Sequence, residues 1–149
     1  RYILQITFCF CLLFIITSCS KDVDYKTPAG STEMAINHYS YDKLVIDGEN
    51  YDIDVAILPG GKIQSWKFDR GTHMLGPEHF RDLISDNVET IIIGRGYHSQ
   101  ANLTTEADEY INQIKAKGIP VHFLSTSDAS KLFNRSSKKG LLAFLHIRY

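Results

Sequence analysis

Residues 88–124 read VETIIIGRGYHSQANLTTEADEYINQIKAKGIPVHFL, and this stretch decides the fold. Val88 to Ile93 is a strand whose end is too apolar to face water, as expected of one covered on both sides. Gly94-Arg95-Gly96 ends it. Thr104 or Thr105 then caps a helix that runs to Lys117, with Ala107, Tyr110, Ile111 and Ile114 turned inward and Gly118 as the stop. Ile119 to Leu124 is a second strand. A strand–helix–strand unit predicts parallel pairing through a right-handed crossover.

The same pattern extends in both directions. Downstream, Ser125 to Ser127 cap another helix that runs to about Lys139, Gly140 ends it, and Leu141 to Ile147 is the closing strand. Upstream, Tyr51 to Leu58 alternates and then becomes continuously apolar, a single strand entering a core. Pro59-Gly60-Gly61 ends that strand, and Lys62 to Phe68, with the only Trp at 66, is another. Pro77 stands at the first turn of a helix that aligns Phe80, Leu83 and Ile84. Met34 to Tyr41 and Lys43 to Ile46 are strand-like, and Asp47-Gly48 makes a hairpin turn. The expected fold is one three-layer α/β domain, residues 33–149. It has a mixed β-sheet with helices packed on it and a small antiparallel β element.

Composition agrees with one globular domain. The chain has 149 residues, 44% hydrophobic and 22% charged. Net charge is −1, so no global field draws it to nucleic acid. Residues 33–114 carry six Lys/Arg against fourteen Asp/Glu, and residues 115–149 carry seven Lys/Arg against the single acid Asp128. That polarity suits two solvated faces of opposite sign, or a domain oriented against an anionic partner.

The first residues carry an address. Arg1 is followed by an almost wholly apolar run, Tyr2 to Ile16, and then by Thr17-Ser18-Cys19. A positive start, an apolar stretch and small residues before a cleavage point describe a secretory signal. Since position 1 is not Met, the sequence is expected to begin inside that signal. The junction resembles a bacterial lipobox, which implies cleavage after residue 18 and acylation of Cys19. The expected organisation is a signal at 1–18 and a lipidated, flexible, polar tether at 19–32 ahead of the domain. This places the protein in the bacterial cell envelope, exported and lipid-anchored. The competing reading is an uncleaved anchor near the lower length limit for spanning a bilayer. Cys9 and Cys11 lie within the removable segment, and no Cys occurs from Ser20 to Tyr149. The domain therefore has no disulfide, Cys-metal site or thiol nucleophile.

One ordered set of short motifs carries a resemblance. It comprises Ile46-Asp47-Gly48 with Tyr51; Asp54-Val55 running into Leu58-Pro59-Gly60-Gly61-Lys62; Trp66; Gly71-Thr72-His73 with Leu75; and Pro77-Glu78. It continues with Ile92-Ile93-Gly94-Arg95-Gly96; Gly118-Ile119; Thr126 with Ala129; Asn134; and Leu145-His146. In this order the chain from Leu44 to His146 resembles the MTH-nine-three-eight-like domain family. Relatives there include the mitochondrial complex I assembly factor 3 and the adipogenesis-associated domain protein. The resemblance implies a mixed sheet flanked by helices, with a small β element. It implies an interaction or assembly role and no shared enzymatic activity. An export signal departs from the family's usual intracellular setting.

Ligands of open α/β sheets favour the crevice beyond the carboxyl ends of parallel strands. Three loops are expected there: Pro59 to Leu75, Arg95 to Thr104 and Ser125 to Ser127. They bring Arg70, His73, Arg95, Tyr97, His98, Ser125 and Thr126 to one edge. With Gly94 and Gly96 beside helix starts, that edge suits a small anion, held by Arg70, His73 and Arg95. The competing role is structural: the glycines permit a turn and the hydroxyls cap a helix. Gly-Arg-Gly is too short for a dinucleotide fingerprint, and neither a phosphate loop nor GxSxG occurs. His73 and His79 are six apart, and His98, His122 and His146 stand alone, so no compact metal-ligand pattern forms. No cofactor, metal or catalytic residue is expected. Trp66 is the best single interaction candidate, because Trp is enriched where binding energy concentrates. The expected partners are a membrane, through the anchor, and a protein the sequence does not name.

Overall fold

The computed structural model describes residues 22–26, 33–67 and 71–148. The strands, in chain order, are β1 (Val23–Asp24), β2 (Ile36–Ser40), β3 (Lys43–Ile46), β4 (Glu49–Tyr51), β5 (Val55–Ile57), β6 (Ile63–Ser65), β7 (Met74–Leu75), β8 (Thr90–Arg95), β9 (Asn102–Leu103), β10 (Val121–Leu124) and β11 (Leu141–His146). Two α-helices lie among the last strands: α1 (Thr105–Ala116) joins β9 to β10 and α2 (Thr126–Arg135) joins β10 to β11.

The central sheet has the order β10-β8-β11-β5-β6. β10, β8 and β11 are parallel, whereas β5 runs antiparallel to β11 and β6 antiparallel to β5. This is the expected mixed sheet. Its strands alternate strictly between two cores, because successive side chains of a strand point to opposite faces. Leu141, Ala143, Leu145 and Ile147 enter one core with Val55, Ile57 and Ile92. Leu142 and Phe144 enter the other with Ala56, Ile91 and Ile93.

The first core is covered by α2, through Ala129 and Phe133, and by the antiparallel sheet β1-β2-β3-β4, through Ile36, Tyr39, Leu44 and Ile46. Asn134 joins these two covers: its side chain accepts from the Ile36 amide at 2.8 Å and donates to the Ile36 carbonyl at 2.7 Å. The second core is covered by α1, through Ala107, Ile111 and Ile114, together with Leu75 and Phe80. Helix α1 starts where the sequence predicts: the Thr104 side chain accepts from the Ala107 amide at 3.1 Å, satisfying one of the orphan donors of a helix start.

Several boundaries differ from expectation, each for a local reason. Tyr51 to Leu58 is two strands, not one. β4 ends at Tyr51, and the chain changes sheets through Asp52-Ile53-Asp54, where Asp54 turns its carboxylate into the interior at 2% exposure. The helix expected at Pro77 is instead two 3₁₀ turns, Pro77–His79 and Arg81–Leu83. The His79 ring accepts from the Gly76 amide at 2.9 Å, which closes a tight turn in place of an α-helical start. β8 continues through Gly94 and Arg95, paired with Leu145 and His146, instead of stopping before them. α2 ends at Arg135, where the Lys138 ammonium folds back to the carbonyls of Phe133 and Ser136, both at 2.7 Å.

The expected flexible tether is corrected at residues 22–26. Val23 and Asp24 pair with Tyr39 and His38 of β2. The Asp24 carboxylate meets His38 Nδ1 at 2.6 Å, and the Tyr25 hydroxyl donates to the Ser127 carbonyl at 2.9 Å. An edge strand offers unpaired backbone groups, and this segment satisfies part of that edge.

Candidate functional site

The carboxyl ends of β8 and β11 meet the start of α2, and small residues let them approach closely. A Cβ added at Gly94 would lie 2.6 Å from Thr126 Oγ1 and 3.1 Å from the Thr126 Cα. Thr126 is fully buried. Its hydroxyl donates to the His146 carbonyl at 2.6 Å and accepts from the Gly96 amide at 2.8 Å. Thr126 therefore ties β8, β11 and α2 together. Ser125 is the N-cap residue, its side chain accepting from the Asp128 amide at 3.2 Å. Hydrogen bonds from Lys131 and then Ser125 hold the Asp128 carboxyl below its ordinary range.

Directly beneath lies a pair that sequence reasoning missed. His146 Nδ1 is 2.9 Å from Asp54 Oδ2, and the two side chains are 0% and 2% exposed. The other Asp54 oxygen accepts from the Ile147 amide at 2.9 Å. The available signal was an acid at the mouth of one apolar strand and a histidine at the close of another. Nothing local says that they face each other across 92 residues of chain. Their enclosure points to a structural role, since an ionisable pair that substrate cannot reach performs no chemistry on it.

Arg95 and His73 both lie against Asn102. The Arg95 guanidinium donates to the Ala101 carbonyl at 2.8 Å and to the Asn102 side chain at 2.7 Å, and it lies 4.9 Å over the Phe123 ring. The His73 carbonyl accepts from the Asn102 amide at 2.9 Å, beside the β7–β9 pairing. The structure thus brings Arg95 and His73 to one edge, while Arg70 lies outside the described residues. Cys19 and the 1–18 signal also lie outside them. The Pro59-Gly60-Gly61 part of the first predicted loop is elsewhere: β5 runs antiparallel to β11, so its carboxyl end is at the opposite end of the sheet.

Trp66 requires a correction. It is 4% exposed, its indole N–H donates to the His79 carbonyl at 2.9 Å, and its ring packs against Phe80 and Phe144 with centroids 6.0 and 5.1 Å away. It is a core residue that offers a partner no surface. A lone Trp fits either role, and only its position after β6, over the second core, separates them.

Two surface features remain. Tyr41, Tyr97 and His98 form an aromatic cluster at the carboxyl end of β8, with Tyr41–Tyr97 and Tyr97–His98 centroids 5.7 and 5.1 Å apart. At the other end of the sheet, a cleft of about 820 Å³ opens between the Pro59-Gly60-Gly61 and Lys138-Lys139-Gly140 turns. Glu33, Asp47, Asp86 and Glu89 line it. A smaller apolar recess lies beside it, walled by Met34, Ile57, Phe133 and Leu141. Among the described residues, no three His, Cys, Asp or Glu side chains gather as a metal site would need.

A family model described as a protein of unknown function, DUF498/DUF598, matches residues 36–146. Solved structures share the fold. A conserved hypothetical protein of Pyrococcus horikoshii OT3 is 23% identical, with a TM-score of 0.65, over 76% of this chain and 98% of its own. An outer membrane protein of Bartonella henselae is 20% identical, with a TM-score of 0.59, over 78% of this chain and 97% of its own. A Mth938-like domain of Bordetella pertussis is 14% identical, with a TM-score of 0.59, over 84% of this chain and 92% of its own.

Proposed function

The chain belongs to the DUF498/DUF598 family of Mth938-like domains, and on that footing we propose that it is a non-catalytic interaction or assembly module, lipid-anchored at Cys19 in the bacterial cell envelope. One observation carries the non-catalytic reading. The polar groups where an α/β fold would hold a substrate are engaged in joining its own elements. Thr126 bridges β8 and β11, Arg95 binds Ala101 and Asn102, and Asp54 and His146 are sealed against each other.

The anchor reading is supported by the Thr17-Ser18-Cys19 junction. The Bartonella relative, described as an outer membrane protein, supports an envelope setting. The cleft at the far end of the sheet is the contact surface we assign to the protein partner. Its four acids stand beside an apolar recess. Lys138 is turned back to carbonyls, and Lys139 Nζ stands 4.0 Å from Glu89. A segment with an apolar side chain between basic residues complements it.

A second reading, a small-anion binder or enzyme at Arg70, His73 and Arg95, is favoured by the placing of His73 and Arg95 around Asn102. The test compares the parent chain with Cys19→Ala and Asp86→Lys/Glu89→Lys in native envelopes. Cys19→Ala is expected to lose fatty-acid labelling and leave the membrane fraction. The double charge reversal is expected to stay in the membrane and lose a stoichiometric protein partner. Retention of one equivalent of a small anion, released by Arg95→Ala, would overturn the interaction reading in favour of the second.

A further inference from the structure

The register of β1 says where the chain meets its anchor. Val23 lies opposite Tyr39 and Asp24 opposite His38, antiparallel. At Asp22, where the described segment begins, the chain is therefore on the side of the turn at Tyr41 and Asp42. Only Ser20, Lys21 and Asp22 separate Val23 from Cys19. Four Cα steps, even fully extended, span at most about 14 Å.

The end of the domain reached in this way also carries the large hydrophobic side chains that the described residues expose. The large hydrophobic side chains exposed among the described residues are Tyr41 at 38%, Ile53 at 44% and Met74 at 38%. All three belong to this end. Tyr41 packs on Tyr97 in the turn that follows β2. Ile53 precedes Asp54, whose carboxylate holds the Ile147 amide just beyond β11. Met74 pairs with Asn102, whose side chain receives Arg95 from the end of β8. The acid-lined cleft is at the opposite end.

We propose that this end rests on the lipid surface, with Tyr41, Tyr97 and His98 in the headgroup layer and the cleft turned away toward the envelope space. The inference rests on the Cys19 anchor. Acyl chains on Cys19 must enter the hydrocarbon, which leaves Cys19 within a headgroup layer about 5–7 Å deep. A link of about 14 Å then gives the domain little room to stand off. Tyrosine suits this layer because its ring is apolar and its hydroxyl wet. A few such side chains bind a bilayer only marginally when free, and the short link supplies the local concentration that makes the contact persistent. The exposed charges at this end carry both signs: Asp42, Lys43 and Asp52 lie together, Asp22 and Lys67 are exposed, and Lys131 is paired with Asp128, so the surface is matched to a zwitterionic headgroup layer.

The test uses the processed full chain, purified from membranes and reconstituted in phosphatidylcholine vesicles with brominated acyl chains. Tyr41→Trp and His98→Trp each add a reporter at the proposed face. Lys139→Trp adds one at the cleft end, where that side chain is 85% exposed. The buried Trp66 is a background common to all three. Quenching is expected to be several-fold stronger for the reporters at 41 and 98 than at 139, with emission at shorter wavelength. Equal quenching at both ends, with mass spectrometry showing Cys19 acylated, overturns the orientation and leaves the anchor standing. A processed chain without an acyl group on Cys19 overturns both.

Discussion

Asp54 and His146 stand 2.9 Å apart in the interior, at the mouth of β5 and the close of β11, almost completely removed from water. Removing one partner leaves the other buried without its counterpart. Asp54→Ala is expected to cost about 2–5 kcal/mol in urea unfolding, because the His146 ring and the buried Ile147 amide both lose their partner. A single-variant cost below about 1 kcal/mol would show that the pair is not held as described.

Gly94 is required by contact, since Thr126 occupies the space its Cβ would take. Gly94→Ala is expected to destabilise by about 1–3 kcal/mol, because the contact at 3.1 Å is with helix backbone that cannot rotate away. Thr126→Val removes both hydroxyl bonds while keeping the shape and is expected to cost about the same. An unchanged unfolding midpoint in Gly94→Ala would mean that α2 is not pressed on β8.

For Trp66, stability and binding should separate. Trp66→Ala is expected to cost about 3–5 kcal/mol, as large core truncations do. Trp66→Phe, which loses the bond to the His79 carbonyl but keeps much of the packing, should cost far less and leave partner binding unchanged in pull-down from envelopes. Lost binding at intact stability would reinstate Trp66 as a contact residue.

The alkaline limb of stability should rest mainly on Tyr39, with Tyr25, also raised by burial, adding to it in the parent and in Tyr39→Phe alike. Burial holds its phenol well above the ordinary value of 10.0, and its hydroxyl donates to the Ile147 carbonyl at 2.7 Å. Above pH 10 the unfolded chain loses this proton while the folded chain keeps it. Stability is therefore full below about pH 10 and falls as pH rises beyond it, by up to about 1.4 kcal/mol per pH unit. Burial lowers Lys138 from 10.5 and so works in the opposite direction, but that contribution is common to the parent and Tyr39→Phe. Urea midpoints between about pH 9 and 11 should fall less steeply in Tyr39→Phe than in the parent. Parallel slopes would assign the limb to other groups.

The sequence alone determined what nearest neighbours control. The strand–helix–strand order of residues 88–124, the Thr104 and Ser125 caps, and the Asp47-Gly48 hairpin turn all depend on period, capping and backbone freedom within a few residues. So did the parallel part of the mixed sheet, since a crossover helix imposes parallel pairing, whereas the antiparallel place of β5 beside β11 came with the tertiary structure. Tertiary structure alone decided which polar groups meet and which apolar groups remain outside. Asp54 finds His146 only because β5 lies beside β11. Trp66 is covered because Phe80 and Phe144 converge on it from distant parts of the chain. Val23 and Asp24, polar-flanked and short, carry no strand signal of their own. They become a strand because β2 presents an edge with His38 in place to meet Asp24. Arg95 shows the same limit, for nothing in Gly-Arg-Gly says that its guanidinium will reach Ala101 and Asn102 and lie over Phe123. Local sequence sets the conformation each segment prefers, whereas burial and pairing are properties of surfaces that exist only once the layers have closed.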